Sequence, residues 1–106
     1  MDYHAHIYWS NSHERELAMS LREWLTDQGC DMGRVWEEPI GPHPLPMYQA
    51  VYNSDNRELI ENYLRNNHRN NTILLHESIN DDLRDHTEGA TWLGAPLELN
   101  LGVFNQ

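Results

Sequence analysis

The stretch Tyr3-His4-Ala5-His6-Ile7-Tyr8-Trp9 constrains this chain more than any other. Its aromatic and β-branched residues make a strand, and side chains on a strand alternate between two faces. His4, His6 and Tyr8 therefore share one face, Ala5 and Ile7 share the other, and Tyr3 and Trp9 sit at the ends. Two imidazoles at i and i+2 on a rigid strand aim their nitrogens into one space, which is how a site for a borderline metal begins. The plainer reading is a pair of histidines on a solvated sheet face, and a lone His-x-His does not decide between the two.

Elements downstream supply the partners of this strand. Ser10-Asn11-Ser12 offers N-cap residues, Glu14 and Glu16 suit the positive end of a helix, and Leu17, Leu21, Trp24 and Leu25 recur at helical spacing. Gly29 is placed to end that helix, so the spacing predicts it over residues 12–28. Val35 and Trp36 mark a short second strand within 34–38. Four prolines then fall in the eight residues 39–46, which excludes a helix or a central strand and stiffens a loop that holds His43 between Pro42 and Pro44. That histidine is either presented for a defined contact or merely exposed in a turn. Met47 to Asn53 alternates as a third strand. Ser54-Asp55 caps a second helix with Leu59, Ile60, Tyr63 and Leu64 on one face, ending near Asn67, and Thr72 to His76 forms a mostly apolar fourth strand.

The order βαββαβ with right-handed crossovers predicts an α+β, ferredoxin-like fold: an antiparallel sheet in spatial order 4-1-3-2 with both helices on one face. Strands one and four become antiparallel neighbours. If Ala5 and Ile7 face the helices, so do Ile73 and Leu75, which leaves His4, His6, Thr72, Leu74 and His76 together on the open face. That face needs a cover, from the C-terminal segment or a second subunit. The later chain offers a short helix over 80–87 carrying His86, either a base near the site or a surface residue. A tail follows with Trp92, Leu93, Leu97, Leu99 and Leu101, expected to lie across the sheet or into a partner.

Length and charge narrow the function. The 106 residues suit a single domain over 1–106. A formal charge of -10 repels a nucleic-acid backbone or an anionic membrane, and leaves small molecules as the easier partners. Cys30 is the one cysteine, so no internal disulfide forms and the default setting is cytoplasmic. The sequence shows no apolar run near the roughly 18 residues of a membrane span, and no signal peptide. The seven histidines equal the lysines and arginines combined.

Four separated motifs resemble the DOPA 4,5-dioxygenase family: Tyr3-His4-Ala5-His6-Ile7-Tyr8, Gly41-Pro42-His43-Pro44, Met47-Tyr48-Gln49, and Asp81-Asp82-Leu83-Arg84-Asp85-His86-Thr87 with Trp92-Leu93-Gly94. They occur in the same order and span essentially the whole chain. The resemblance implies a small ferredoxin-like domain, a homodimer, that opens the ring of a catechol such as DOPA with dioxygen at a non-haem metal. The metal is expected to be Fe(II), with Zn(II) as an occupant in purified protein. Carried onto this sequence, His6, His43 and His76 become the metal ligands, with His4 and His86 as ligand or acid/base alternatives. Tyr8 and Tyr48 are expected to hydrogen-bond to the ring or stack on it. Glu77 could offer a carboxylate, but alternation turns it away from His76. The chain departs from the family pattern at His76-Glu77-Ser78-Ile79-Asn80, where a His-Pro pair and a Thr-Gly turn are usual, and at Trp9-Ser10, which replaces Phe-Asp. Two rival readings are a non-catalytic metal- or small-molecule-binding protein on the same scaffold, and a cofactor-free oxygenase of the dimeric ferredoxin-like type.

Overall fold

The computed structural model describes residues 2–78 and 82–105. Strand β1 (Asp2–Tyr8) runs through the middle of a five-stranded antiparallel sheet, flanked by β3 (Met47–Asn53) and β4 (Ile73–Glu77). The short β2 (Asp31–Met32) lies outside β3, and β5 (Ala90–Leu93) lies outside β4, giving the order β2-β3-β1-β4-β5. The first four strands follow the expected 4-1-3-2 arrangement, and the fifth is added at the β4 edge.

Helix α1 (Ser12–Asp27) starts where Asn11 accepts from the backbone N–H of Glu14 at 2.9 Å, while the Glu14 carboxylate reaches back to the N–H of Ser10 at 2.9 Å. This reciprocal pairing satisfies donors that a helix start leaves open. Helix α2 (Arg57–Asn67) differs from the expectation at its start. Ser54-Asp55 lie in a turn, and Asn56 occupies the cap position but spends its side-chain oxygen on the N–H of Asn53 at 3.0 Å. Ile60 and Leu64 of α2 are buried, Trp24 and Tyr63 stack between the helices at 3.6 Å, and Leu59 is 54% exposed rather than part of the packed face.

Three late differences have local causes. The second strand is Asp31–Met32, not residues 34–38, because the pairing with β3 shifts by one residue. Met32 opposes Ala50 whereas Trp36 bridges Met47, so four steps on one side match three on the other. Such a one-residue bulge interrupts the ladder. Trp92 and its neighbours pair with β4 as a true edge strand instead of lying across the sheet, with Leu74 opposite Trp92. The 80–87 helix is α3 (Asp82–Asp85), and the expected first residues, Asn80 and Asp81, lie outside the described residues.

The two faces of the sheet are packed differently. Ala5, Ile7, Tyr48, Ala50, Ile73 and Leu75 join Leu21, Leu25, Ile60 and Leu64 in one core beneath the helices. On the other face Tyr8, Met47 and Leu74 pack against Trp36, against Ile40 and Leu45 of the proline loop, and against Trp92 of β5 with Leu97 and Leu99 beyond it. The proline loop and the segment after β5 meet where the N–H of Asn100 donates to Pro42 O at 2.8 Å. Gly94 permits the turn after β5: its φ is +77°, and a Cβ there would come within 2.8 Å of Asn71 O.

Candidate metal centre

Strand alternation and the β1–β4 register build the centre of the site. His4 opposes His76 directly and His6 opposes Leu74, so His4, His6 and His76 rise from adjacent positions of the central strands. His43 comes from the proline loop, where its N–H donates to Ile40 O at 3.0 Å and Ile40 and His43 form a bridge. His86 follows α3 and lies 5.3 Å from Phe104 of a 3-10 helix (Leu101–Asn105), centroid to centroid. Five imidazoles from four segments thus surround one space.

His6 is its hub. Its ring centroid is 4.4 Å from His43, 5.1 Å from His76 and 5.5 Å from His86. Two trios have ligand nitrogens that all lie within 4.8 Å of one another, His4-His6-His76 and His6-His43-His86. The expected trio His6, His43 and His76 is neither of these: His43 and His76 fall in different groups joined through His6. His86, left open by the sequence between a base and a surface residue, faces inward with the others.

Hydrogen bonds fix several of these rings. His6 Nε2 is 3.0 Å from His76 Nε2, His76 Nδ1 is 3.0 Å from Glu77 O, and the Tyr8 hydroxyl is 2.6 Å from His43 Nδ1. His6 Nδ1 is buried and has no hydrogen-bond partner among the described residues. Tyr8 lies on the histidine face, stacked at 6.3 Å with Trp92, and burial raises its pKa so that its hydroxyl keeps its proton. Tyr48 does not share that space. It opposes Ile7, packs beneath the helices and donates its hydroxyl to Ala18 O at 2.6 Å, so, contrary to expectation, it does not face a substrate held by the histidines.

The heart of the cluster is held uncharged. Burial, and then the neighbouring imidazoles, keep His6 well below the ordinary histidine range. Burial is also the main cause at His43 and at His76, each lowered to about 4. His4, half-buried, is lowered by burial while Asp2 and Asp85 pull the other way. A neutral imidazole offers a lone pair, which is the form that binds a metal, and five crowded rings whose central His6 Nδ1 has no partner among the described residues suit a borderline divalent ion.

Sequence reasoning overlooked three neighbours. Asp85 is buried, 4% exposed, and its charge acts on His4 and His76. Phe104 packs on His86. Asn71 is 1% exposed and donates to Tyr8 O at 3.0 Å and Glu14 O at 2.9 Å, pinning the end of β1 to α1. Nothing local in the sequence separates Asn71 from Asn70, since only the packed fold gives it two buried acceptors.

Fold and site together define a small α+β domain that carries a buried imidazole centre on one face of its sheet. The chain belongs to the DOPA 4,5-dioxygenase family, which its sequence matches over residues 3–103. A DOPA 4,5-dioxygenase from Amanita muscaria is 32% identical over 109 residues, covering 94% of this chain and 48% of that protein. An uncharacterised 21.2 kDa protein from Botryotinia fuckeliana is 29% identical over 115 residues, covering 99% of this chain and 63% of its own length. The chain therefore spans about half the length of the Amanita relative and under two thirds of the other. The 1.46 Å crystal structure of a candidate dioxygenase from Nostoc punctiforme PCC 73102 matches the fold with a TM-score of 0.93 at 34% identity, covering 99% of this chain and 91% of that one.

Proposed function

We propose that this chain is an extradiol-type dioxygenase that opens the ring of a catechol such as DOPA with O2 at a histidine-bound non-haem metal. The observation that carries the proposal is the cluster of five imidazoles centred on a buried, uncharged His6, on the scaffold of this family. His6 stands at the centre of the ligand set, joined by members of the two trios. A bound ferrous ion would supply Lewis acidity toward a catechol and the redox chemistry that dioxygen requires.

The chain's own residues do the rest. His4 is the half-buried member with a lowered pKa, so it is neutral near pH 7 and placed to take a phenolic proton and return it. Tyr8, stacked on Trp92 and 2.6 Å from His43 Nδ1, is the proposed ring contact, and with Leu74, Met47 and Leu97 it packs into an apolar layer beside the histidines that excludes water. Asp85 supplies negative charge beside His4 and His76, which favours a transient positive imidazolium. The reading extends to a cytoplasmic homodimer, as expected from the sequence; among the described residues no helix is long and apolar enough to cross a membrane.

The test is anaerobic loading with Fe(II), followed by a catechol series including DOPA and protocatechuate, and then O2. A yellow ring-opened product that disappears in His6→Ala is expected. Tight zinc in the purified protein, with no turnover of any catechol after iron loading, would establish the non-catalytic metal-binding reading instead.

A further inference from the structure

The ring nitrogens of His6 and His76 can be assigned one by one. A carbonyl oxygen only accepts, so His76 Nδ1, 3.0 Å from Glu77 O, carries the proton and His76 Nε2 the lone pair. His6 Nε2, 3.0 Å from that lone pair, must then be the N–H. The neutral His6 ring is left with its lone pair at Nδ1, the buried atom that has no partner among the described residues.

The two trios make different demands on this arrangement. An ion shared by His6 Nε2 and His76 Nε2 would drive the His6 proton to Nδ1, where it would be buried without an acceptor. An ion on His6 Nδ1 instead satisfies every nitrogen of both rings. His43 joins His6 and His86 through Nε2 when its Nδ1 carries the proton and the Tyr8 oxygen, 2.6 Å away, accepts it, so the bound state requires the Tyr8 hydroxyl to turn its own proton away from His43. Metal-binding imidazoles generally donate their other N–H to a fixed acceptor, and here His76 is that acceptor for His6.

We propose that His76 is a positioning residue rather than a ligand: anchored by Glu77 O, it takes the Nε2–H of His6 and so presents His6 Nδ1 to the ion held with His43 and His86. The proposal rests on the reading of this cluster as a metal centre. It leaves His4 outside the ligand set.

The test is nitrogen-15 NMR of the histidine rings, metal-free and with zinc chloride as the probe. Metal-free protein should show His76 protonated at Nδ1 and His6 at Nε2. Zinc should move His6 Nδ1 and His43 Nε2 to shifts of coordinated nitrogen while His76 Nε2 stays uncoordinated. Coordination at His76 Nε2 would overturn the proposal but leave the metal centre standing, whereas no zinc-dependent change in any ring would overturn both. Zinc affinity gives a second measure. His76→Ala should weaken binding by about 10–100-fold, and His76→Gln, whose amide oxygen can accept from His6, should restore most of it. His43→Ala should lose far more than either. A His76→Gln loss as large as that of His43→Ala would rule out the positioning role.

Discussion

The two faces of this sheet are made by the same strands and differ in almost everything else. Beneath the helices, Ile7, Ile73, Leu75 and Tyr48 meet mainly apolar neighbours and regular secondary structure. One residue along each strand, His6, Leu74, His76 and Met47 meet a mixed surface covered by a proline loop and the irregular end of the chain. Alternation thus divides one sheet into a layer that stabilises and a layer that is specialised. The helix face holds the fold by buried area, about 1.5–3 kcal/mol for each fully buried aliphatic or aromatic side chain. The other face keeps polar groups buried, which works against stability unless they are paired or occupied.

The largest contrast should come from acid. His43 and His76 have folded pKa values lowered to about 4, below the ordinary 6.5, so the unfolded chain binds protons that the folded chain refuses. Their contribution is fully present above pH 6.5 and is lost as pH falls toward 4. A tenfold difference in proton affinity between the folded and unfolded chain is worth about 1.4 kcal/mol. Metal-free protein should therefore lose several kcal/mol across that window. Urea unfolding in the presence of a chelator, repeated across the window, measures the loss; a flat profile would mean that the rings are not buried uncharged.

The helix face should answer to cavity size instead. Leu64→Ala, at a fully buried position, should cost about 3 kcal/mol with little dependence on pH. Denaturant midpoints at pH 7 and pH 5 check both halves of that statement. Asn71→Ala tests the link between the two layers, since it strips the donors from Tyr8 O and Glu14 O. A loss of about 2 kcal/mol is expected, together with weaker zinc binding, because the end of β1 carries Tyr8. Stability lost without any change in zinc affinity would show that the layers are independent. Leu59→Ala should be the smallest, within about 0.5 kcal/mol, because its side chain is 54% exposed on the same helix that buries Leu64. A larger effect would point to a surface that another chain covers.

Much of this was legible in local patterns. Period-two alternation placed His4, His6 and Tyr8 on one face, helical spacing located α1 and most of α2, and crossover handedness gave the order of the first four strands. What escaped depends on contacts between distant residues. The position of β2 is set by a bulge opposite β3, and β5 exists because the β4 edge was available to pair. Tyr48 was assigned to the site by its motif, although its place opposite Ile7 puts it with the helices. The convergence of His4, His6 and His76 followed from register. The grouping of His43 with His86 did not, because a loop and a short helix have no periodicity from which to infer direction.

Because the N–H of Asn100 clasps the carbonyl of Pro42, the ceiling over Tyr8, Met47 and Leu74 is a seam between two irregular segments, while its floor is locked into strands paired on both sides. The seam can part without breaking a ladder hydrogen bond, whereas any displacement of the floor must break several.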